Sequence, residues 1–161
     1  MRYPLDHMKI RPFQFGAIRP LTNTFGMVRM NANNQPKPHQ GWDLEAPVGT
    51  PIYAICGGEG KTKYSESYGH TITLKFFHQG LVYYAFYAHL APISGPICFD
   101  RSVVEGEILG YTGMSGNAEG IPTGEAHLHF EIRTIENPPL GLVGRIDPGD
   151  IFGYGIYSSK I

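Results

Sequence analysis

His127-Leu128-His129-Phe130-Glu131-Ile132-Arg133 alternates strictly, with imidazoles and charges at odd positions and apolar side chains at even ones. Successive side chains of a β-strand point to opposite faces, so the stretch predicts a strand with Leu128, Phe130 and Ile132 in a core. His127, His129, Glu131 and Arg133 then share the other face. Two histidines on one strand face, roughly 7 Å apart at Cα, are more than core filler. One can bind a metal while the other reaches past it toward a substrate.

Further candidate ligands lie upstream. A catalytic zinc keeps three protein ligands, usually imidazole and carboxylate, and one open position. Pro38-His39-Gln40-Gly41-Trp42-Asp43 supplies one of each type. In a straight strand His39 and Asp43 would stand roughly 13 Å apart, too far to share an ion. Pro36, Pro38 and Pro47 argue against the helix that would bring them together. The chain is therefore expected to bend between them, with Gly41 as the residue that allows it. The expected metal ligands are His39, Asp43 and His129, and His89 is a further candidate near the site.

The rest of the chain reads as all-β. Its 161 residues suit one domain, expected over residues 1–161, and 21 glycines and 13 prolines punctuate short apolar runs. Ile72, Leu74 and Phe76 alternate with Thr71, Thr73 and Lys75, predicting a half-buried strand. Residues 81–88 predict a second strand, joined to the first by a Gln79-Gly80 turn. No amphipathic helix of any length is visible. The polar stretches 31–38 and 115–125 abut the candidate ligands and are expected to be loops that shape access to them.

Composition excludes several function classes. A net charge of −1 with no basic stripe argues against nucleic acid as a partner. No apolar segment approaches the length of a membrane span. Met1-Arg2-Tyr3-Pro4-Leu5-Asp6-His7-Met8 lacks the apolar region of a signal peptide. Cys56 and Cys98 are the only cysteines. Either they pair in an oxidising compartment, or Cys56 is a small buried hydrophobe.

Several ordered motifs carry a resemblance. His39-Gln40-Gly41-Trp42-Asp43 matches the HxGxD motif of the M23 (lysostaphin/LytM-type) zinc endopeptidases, and His127-Leu128-His129-Phe130-Glu131 matches their HLHFE motif. Between these anchors, Tyr87-Ala88-His89-Leu90 matches the family's YAHL motif. Thr24-Phe25-Gly26-Met27, the stretch from Asp43 through Gly49-Thr50-Pro51, Tyr68-Gly69-His70, and Val104-Glu105-Gly106-Glu107 with its following Gly110 and Gly113 resemble further family segments. The similarity runs from about residue 24 to about residue 133, leaving extensions at both ends. Ala126 stands where the family commonly carries Pro, and the loop before it is longer than usual, which bears on substrate specificity.

The resemblance implies an antiparallel two-sheet fold with a zinc site in a groove on one sheet. It implies His39, Asp43 and His129 as zinc ligands and His89 and His127 as the catalytic pair, with His127 favoured as base and His89 as the partner of the water and the developing oxyanion. Glu131 is read either as an acceptor that orients a ligand histidine or as a solvated charge paired with Arg133. The implied activity is zinc-dependent hydrolysis of peptide cross-links in bacterial peptidoglycan, in the periplasm or outside the cell. D-Ala–diaminopimelate bridges are expected over glycyl-glycine bridges, because the chain shows no wall-targeting module. Without a signal peptide, either the chain is a mature or excised catalytic domain, or it is delivered by another route, for which a toxin injected into a competitor or a phage lysin fits; any immunity or delivery partner is unidentified. The rival classes are an inactive M23-like binding or activator module, and an iron(II) oxygenase with a two-His-one-carboxylate triad. The second fits the ligand set but not His89, His127 or the motifs.

Overall fold

In the computed structural model, residues 1–92 and 101–158 are described. The N-terminal part forms β1 (Phe13–Gln14), β2 (Ala17–Ile18), β3 (Gly26–Met30) and β4 (Pro36–His39). Then come β5 (Trp42–Glu45), β6 (Pro51–Tyr53), β7 (Gly58–Ser65), β8 (Gly69–His78) and β9 (Leu81–Leu90). The chain finishes with β10 (Arg101–Val103), β11 (Ile108–Tyr111), β12 (His127–Arg133) and β13 (Arg145–Ile146). Among the described residues the one α-helix is a single turn, α1 (Gly149–Phe152). No helix there is long and apolar enough to cross a membrane.

Seven strands make one antiparallel sheet in the order β10-β7-β8-β9-β12-β13, with β5 also paired to β12. The β8–β9 hairpin turns at Gln79 (φ 49°) and Gly80 (φ 79°), the left-handed pair that a two-residue primed turn requires. On β8 Ile72, Leu74 and Phe76 are buried while Thr73 and Lys75 are half-exposed, as expected, but Thr71 of the polar set is buried too. The apolar face of the sheet is covered by the two-stranded ribbon of β6 and β11, not by a second sheet of similar size. Ile52, Ala54 and Leu109 from this ribbon join Ile72, Leu74, Leu128 and Phe130 in one buried cluster.

β12 carries the site because of what pairs with it. One edge takes β9 and the other takes β5, with His129 opposite Ala88 on β9 and opposite Asp43 on β5. Leu128, Phe130 and Ile132 face the core as the alternation predicts, and all three are fully buried. The opposite face is buried as well, under the N-terminal hairpins and the loop that precedes β12. In place of an open polar surface, β12 therefore presents a row of enclosed titratable groups.

Three of the eight residues expected as a loop over 31–38 are strand. Pro36 and Pro38 lie in β4, which among the described residues pairs only with β3. Such a ribbon tolerates proline because the missing N–H can face solvent. Cys98 lies outside the described residues, and with it the Cys56–Cys98 pairing. Cys56 itself is half-buried against the core.

Candidate metal centre

The bend expected between His39 and Asp43 occurs at Gln40-Gly41, between the end of β4 and the start of β5. It brings His39 Nε2 to 3.2 Å from Asp43 Oδ1. His129 Nδ1 reaches the same oxygen at 2.7 Å from across the sheet. One ligand atom from each of the three residues lies within 4.8 Å of the others. Gly41 is needed for a different reason from the one expected. Its φ is not left-handed, but a Cβ there would sit 2.1 Å from the Phe130 carbonyl oxygen. Glycine lets β5 approach β12 closely enough for Asp43 to face His129.

The atoms turned away from this point are all engaged. His39 Nδ1–H donates to the Thr24 carbonyl at 2.8 Å, and His129 Nε2–H donates to Glu131 Oε1 at 3.0 Å. Arg29 Nη2 donates to Asp43 Oδ2 at 2.6 Å. The tautomers that satisfy these bonds leave His39 Nε2, His129 Nδ1 and Asp43 Oδ1 as lone pairs aimed at one another. In the metal-free protein a proton on His129 Nδ1 bridges that ring to Asp43, and a divalent cation can take the place of that proton and accept all three lone pairs. Two imidazoles and one carboxylate form a donor set of the kind catalytic zinc uses, with outward partners of the kind that orient such ligands. The residues present thus fit a zinc ion.

The electrostatics follow from burial. Burial holds His39 below the usual imidazole value, against the raising effect of Asp43. Burial alone would raise Asp43, but the imidazoles of His39 and His127 and the His129 hydrogen bond hold it well below the usual carboxylate value. Burial opposes charging of His129 too, yet hydrogen bonds to Asp43 and Glu131 outweigh it and push the ring up to about 9 while no cation intervenes. Glu131 is fully buried and accepts from Arg133 Nε at 2.6 Å and Arg145 Nε at 2.7 Å as well as from His129. These partners outweigh burial and hold it below the ordinary range. Both roles expected for Glu131 as a partner of His129 and of Arg133 are present, but the carboxylate is not solvated.

His89 and His127 stand beside this point, with ring centroids 5.2 Å apart. His89 Nδ1–H donates to the Ser115 carbonyl at 2.9 Å, and His127 Nδ1–H donates to the Glu125 carbonyl at 3.1 Å. Both rings therefore offer Nε2 as an acceptor, and His127 Nε2 lies 3.9 Å from Asp43 Oδ1. Burial, with the nearby charges of His129 and His127, pulls His89 down to about 3. Burial also lowers His127, and Asp43 partly counters it. Both rings are neutral at pH 7. His89 has φ 59°, a left-handed conformation that side chains with a Cβ rarely adopt. Backbone strain of this kind clusters at functional sites. Here it turns the ring toward His127, with the His89 N–H held by the Tyr68 carbonyl at 2.9 Å.

All five residues line one cleft of ≈ 650 Å³. The stretch 115–125, expected to shape access, forms one wall. It is tied to the site through Ser115 and through a buried ion pair, Glu125 Oε2 to Arg11 Nη2 at 2.7 Å. From 31–38 only Lys37 lines the cleft. A lip comes from the turn between β1 and β2, where Phe15 is 91% exposed.

The sequence reading missed Arg29, which clamps Asp43, and Arg145, which clamps Glu131. Among the many tyrosines it could not single out Tyr68, whose hydroxyl donates to Gln40 Oε1 at 2.9 Å in the cleft wall. Burial, then the Glu131 charge, raises Tyr68 to about 12, so it stays a donor. His70 packs on Tyr64 away from the cleft, His78 closes the β8–β9 hairpin, and His7 is exposed.

Comparisons with known proteins point to one family. The description of peptidase family M23 matches residues 37–140. The chain is 27% identical over 140 residues to the peptidoglycan DD-endopeptidase ShyB of Vibrio cholerae, covering 86% of this chain and 28% of that protein. It thus spans little more than a quarter of that relative's length. A zinc-containing peptidase from Vibrio cholerae superposes with TM-score 0.61 at 25% identity, over 81% of this chain and 35% of that one. The catalytic domain of lysostaphin from Staphylococcus simulans shares the fold, with TM-score 0.63 and 23% identity over 81% of this chain and 90% of that domain.

Proposed function

The chain belongs to peptidase family M23, and from that premise we propose that it is a zinc-dependent endopeptidase that hydrolyses peptide cross-links of bacterial peptidoglycan. The observation that carries this reading is the convergence of His39 Nε2, Asp43 Oδ1 and His129 Nδ1 on one point, with two neutral histidines facing it. D-Ala–diaminopimelate bridges are the favoured bond, since ShyB is named a DD-endopeptidase. Acting on that polymer places the protein in the periplasm or outside the cell.

His39, Asp43 and His129 would hold the zinc ion, which when bound would supply Lewis acidity toward a carbonyl oxygen and lower the pKa of water to about 7. The chain's own groups supply the rest. His127 Nε2 accepts a proton from the attacking water and returns it to the leaving amine. It suits that role better than His89, because Asp43 stabilises its charged form and a base works best with a pKa near the operating pH. His89, held at about 3, keeps its Nε2 lone pair through the cycle and orients the water by accepting its hydrogen bond. Arg29 and Glu131 keep the ligand atoms aimed. The burial of these side chains strengthens each of these interactions.

The test is incubation of the zinc-loaded protein with purified sacculi from Gram-negative and from staphylococcal cells, followed by mass analysis of the fragments. Fragments freed by cleavage at D-Ala–diaminopimelate bonds, absent with His127→Ala, are the expected result. Release from staphylococcal walls alone would shift the bond to glycyl-glycine. No release from either, with zinc bound, would favour the inactive binding module.

A further inference from the structure

β3 and β4 set two cations directly opposite each other. Arg29 and Lys37 are cross-strand partners in this antiparallel ribbon, and both line the cleft. Side chains so placed stand on one face with Cβ atoms about 5 Å apart, and like charges there destabilise the pair. The ribbon gains nothing from this arrangement internally. Arg29 uses Nε on the Thr22 carbonyl and Nη2 on Asn23 and Asp43, which leaves Nη1 without a partner among the described residues. Lys37 is exposed and has no ion pair or hydrogen bond among the described residues. Among the described residues, the charged side chains lining the cleft are Arg11, Arg29 and Lys37 against Asp43 and Glu125. Each carboxylate is already taken by an arginine. Lys37 is the cation left over, in a chain whose net charge is −1.

We infer that Lys37 and the open edge of Arg29 form an anion subsite that anchors a carboxylate of the substrate's peptide stem. The inference rests on the proposed peptidoglycan activity and names what holds that substrate. Lys37 precedes His39 by two residues on one strand, so it lies on the His39 side of β4, roughly 7 Å away at Cα. An extended peptide advances about 3.3 Å per residue. A carboxylate seated there therefore belongs to a residue about two positions from the bond being cut. Two sources share this chemistry: the terminal carboxylate of a stem, and the carboxylates carried within it by its diacid residues.

The experiment uses the zinc-loaded chain and its Lys37→Gln variant on three diaminopimelate-type cross-linked muropeptide dimers. One is unmodified, one is amidated at the stem terminus, and one is amidated on the internal carboxylates. Wild type should show KM raised about three- to tenfold by one of the two amidations, with kcat within about twofold. The amidation that does so identifies the source. Lys37→Gln should raise KM by a similar factor on the unmodified dimer and add nothing on the sensitive amidated one. Added salt should raise KM more for wild type than for the variant. Equal KM for all three dimers with wild type, or a Lys37→Gln effect that persists on both amidated dimers, would overturn the inference while leaving the activity intact. If wild type cuts no dimer, the proposed activity itself fails. Calorimetric titration with the free stem tetrapeptide then decides the subsite: weaker binding by Lys37→Gln supports it, and equal binding overturns it.

Discussion

Replacing Glu131 with Gln probes how the site is held together. The carboxylate is fully buried, with Oε2 shared by Arg133 Nε at 2.6 Å and Arg145 Nε at 2.7 Å, and Oε1 facing His129 Nε2 at 3.0 Å. A glutamine offers one neutral oxygen and one NH2, so its oxygen can stay on the arginines only if the NH2 faces His129 Nε2, which forces that ring to give up its Nε2 proton. Two buried guanidiniums also lose their counter-charge. Removing one partner of a buried ion pair costs about 3–5 kcal/mol. Arg145 keeps the carbonyls of Pro139 and Gly141, which favours the lower end, about 3 kcal/mol. Against a total stability of about 5–15 kcal/mol that is a large share. With a urea slope of about 2 kcal/mol/M the midpoint should fall by about 1.5 M. Fluorescence of Trp42, the sole tryptophan and fully buried, reads the transition with chelator present, so that metal binding does not contribute. The sign with pH is fixed as well. Glu131 is depressed in the fold, so its contribution is complete above its unfolded value of 4.5 and fades as pH falls through its folded value. The gap between wild type and variant should therefore close in acid. Zinc affinity should drop about 10- to 100-fold. A midpoint within about 0.3 M of wild type at pH 7 would refute the reasoning.

Other perturbations separate the remaining roles. Gly41→Ala drives a Cβ to 2.1 Å from the Phe130 carbonyl oxygen, so β5 must retreat from β12. We expect zinc affinity to fall along with stability, and a variant that binds zinc like wild type would show the close approach to be unnecessary. His39→Ala should lower metal occupancy, whereas His127→Ala and His89→Ala should keep the metal and lose turnover by about 10²-fold or more. Metal analysis alongside a peptide-release assay checks the split, and normal turnover in either of the last two ends the catalytic assignment. In metal-free protein, His39, His89 and His127 titrate lower than in the unfolded chain, whose reference is 6.5, so stability should decline as pH drops below that value. His129 is raised to about 9, so its contribution is complete below 6.5 and is lost as pH climbs through 9. Urea midpoints across pH should peak near 6.5 in the presence of chelator, and a monotonic trend across that range would contradict the assignments.

What the sequence made legible was what is periodic or punctuated. The alternation of 127–133 placed β12 and its two faces, and Gln79-Gly80 placed a hairpin, because both signals are local. His39 and Asp43 came out together once their spacing demanded a bend. Why Gly41 stands there was hidden, since the carbonyl it must clear belongs to Phe130 on a strand far along the chain. Arg29 and Arg145 were invisible for the same reason. Each touches its carboxylate 14 residues away through a fold that no window of sequence displays. The left-handed backbone at His89 carries no residue signature, and β4 was hidden by prolines that only an unshared strand edge accepts.

Diffraction from the zinc-loaded protein, with anomalous data collected across the zinc edge, addresses the central claim most directly. The expected result is one peak bonded to His39 Nε2, Asp43 Oδ1 and His129 Nδ1, with the Nε2 atoms of His89 and His127 facing it unbonded. Zinc bound through His89 or His127 instead, or a fully folded protein that takes up no ion between His39, Asp43 and His129, would contradict it.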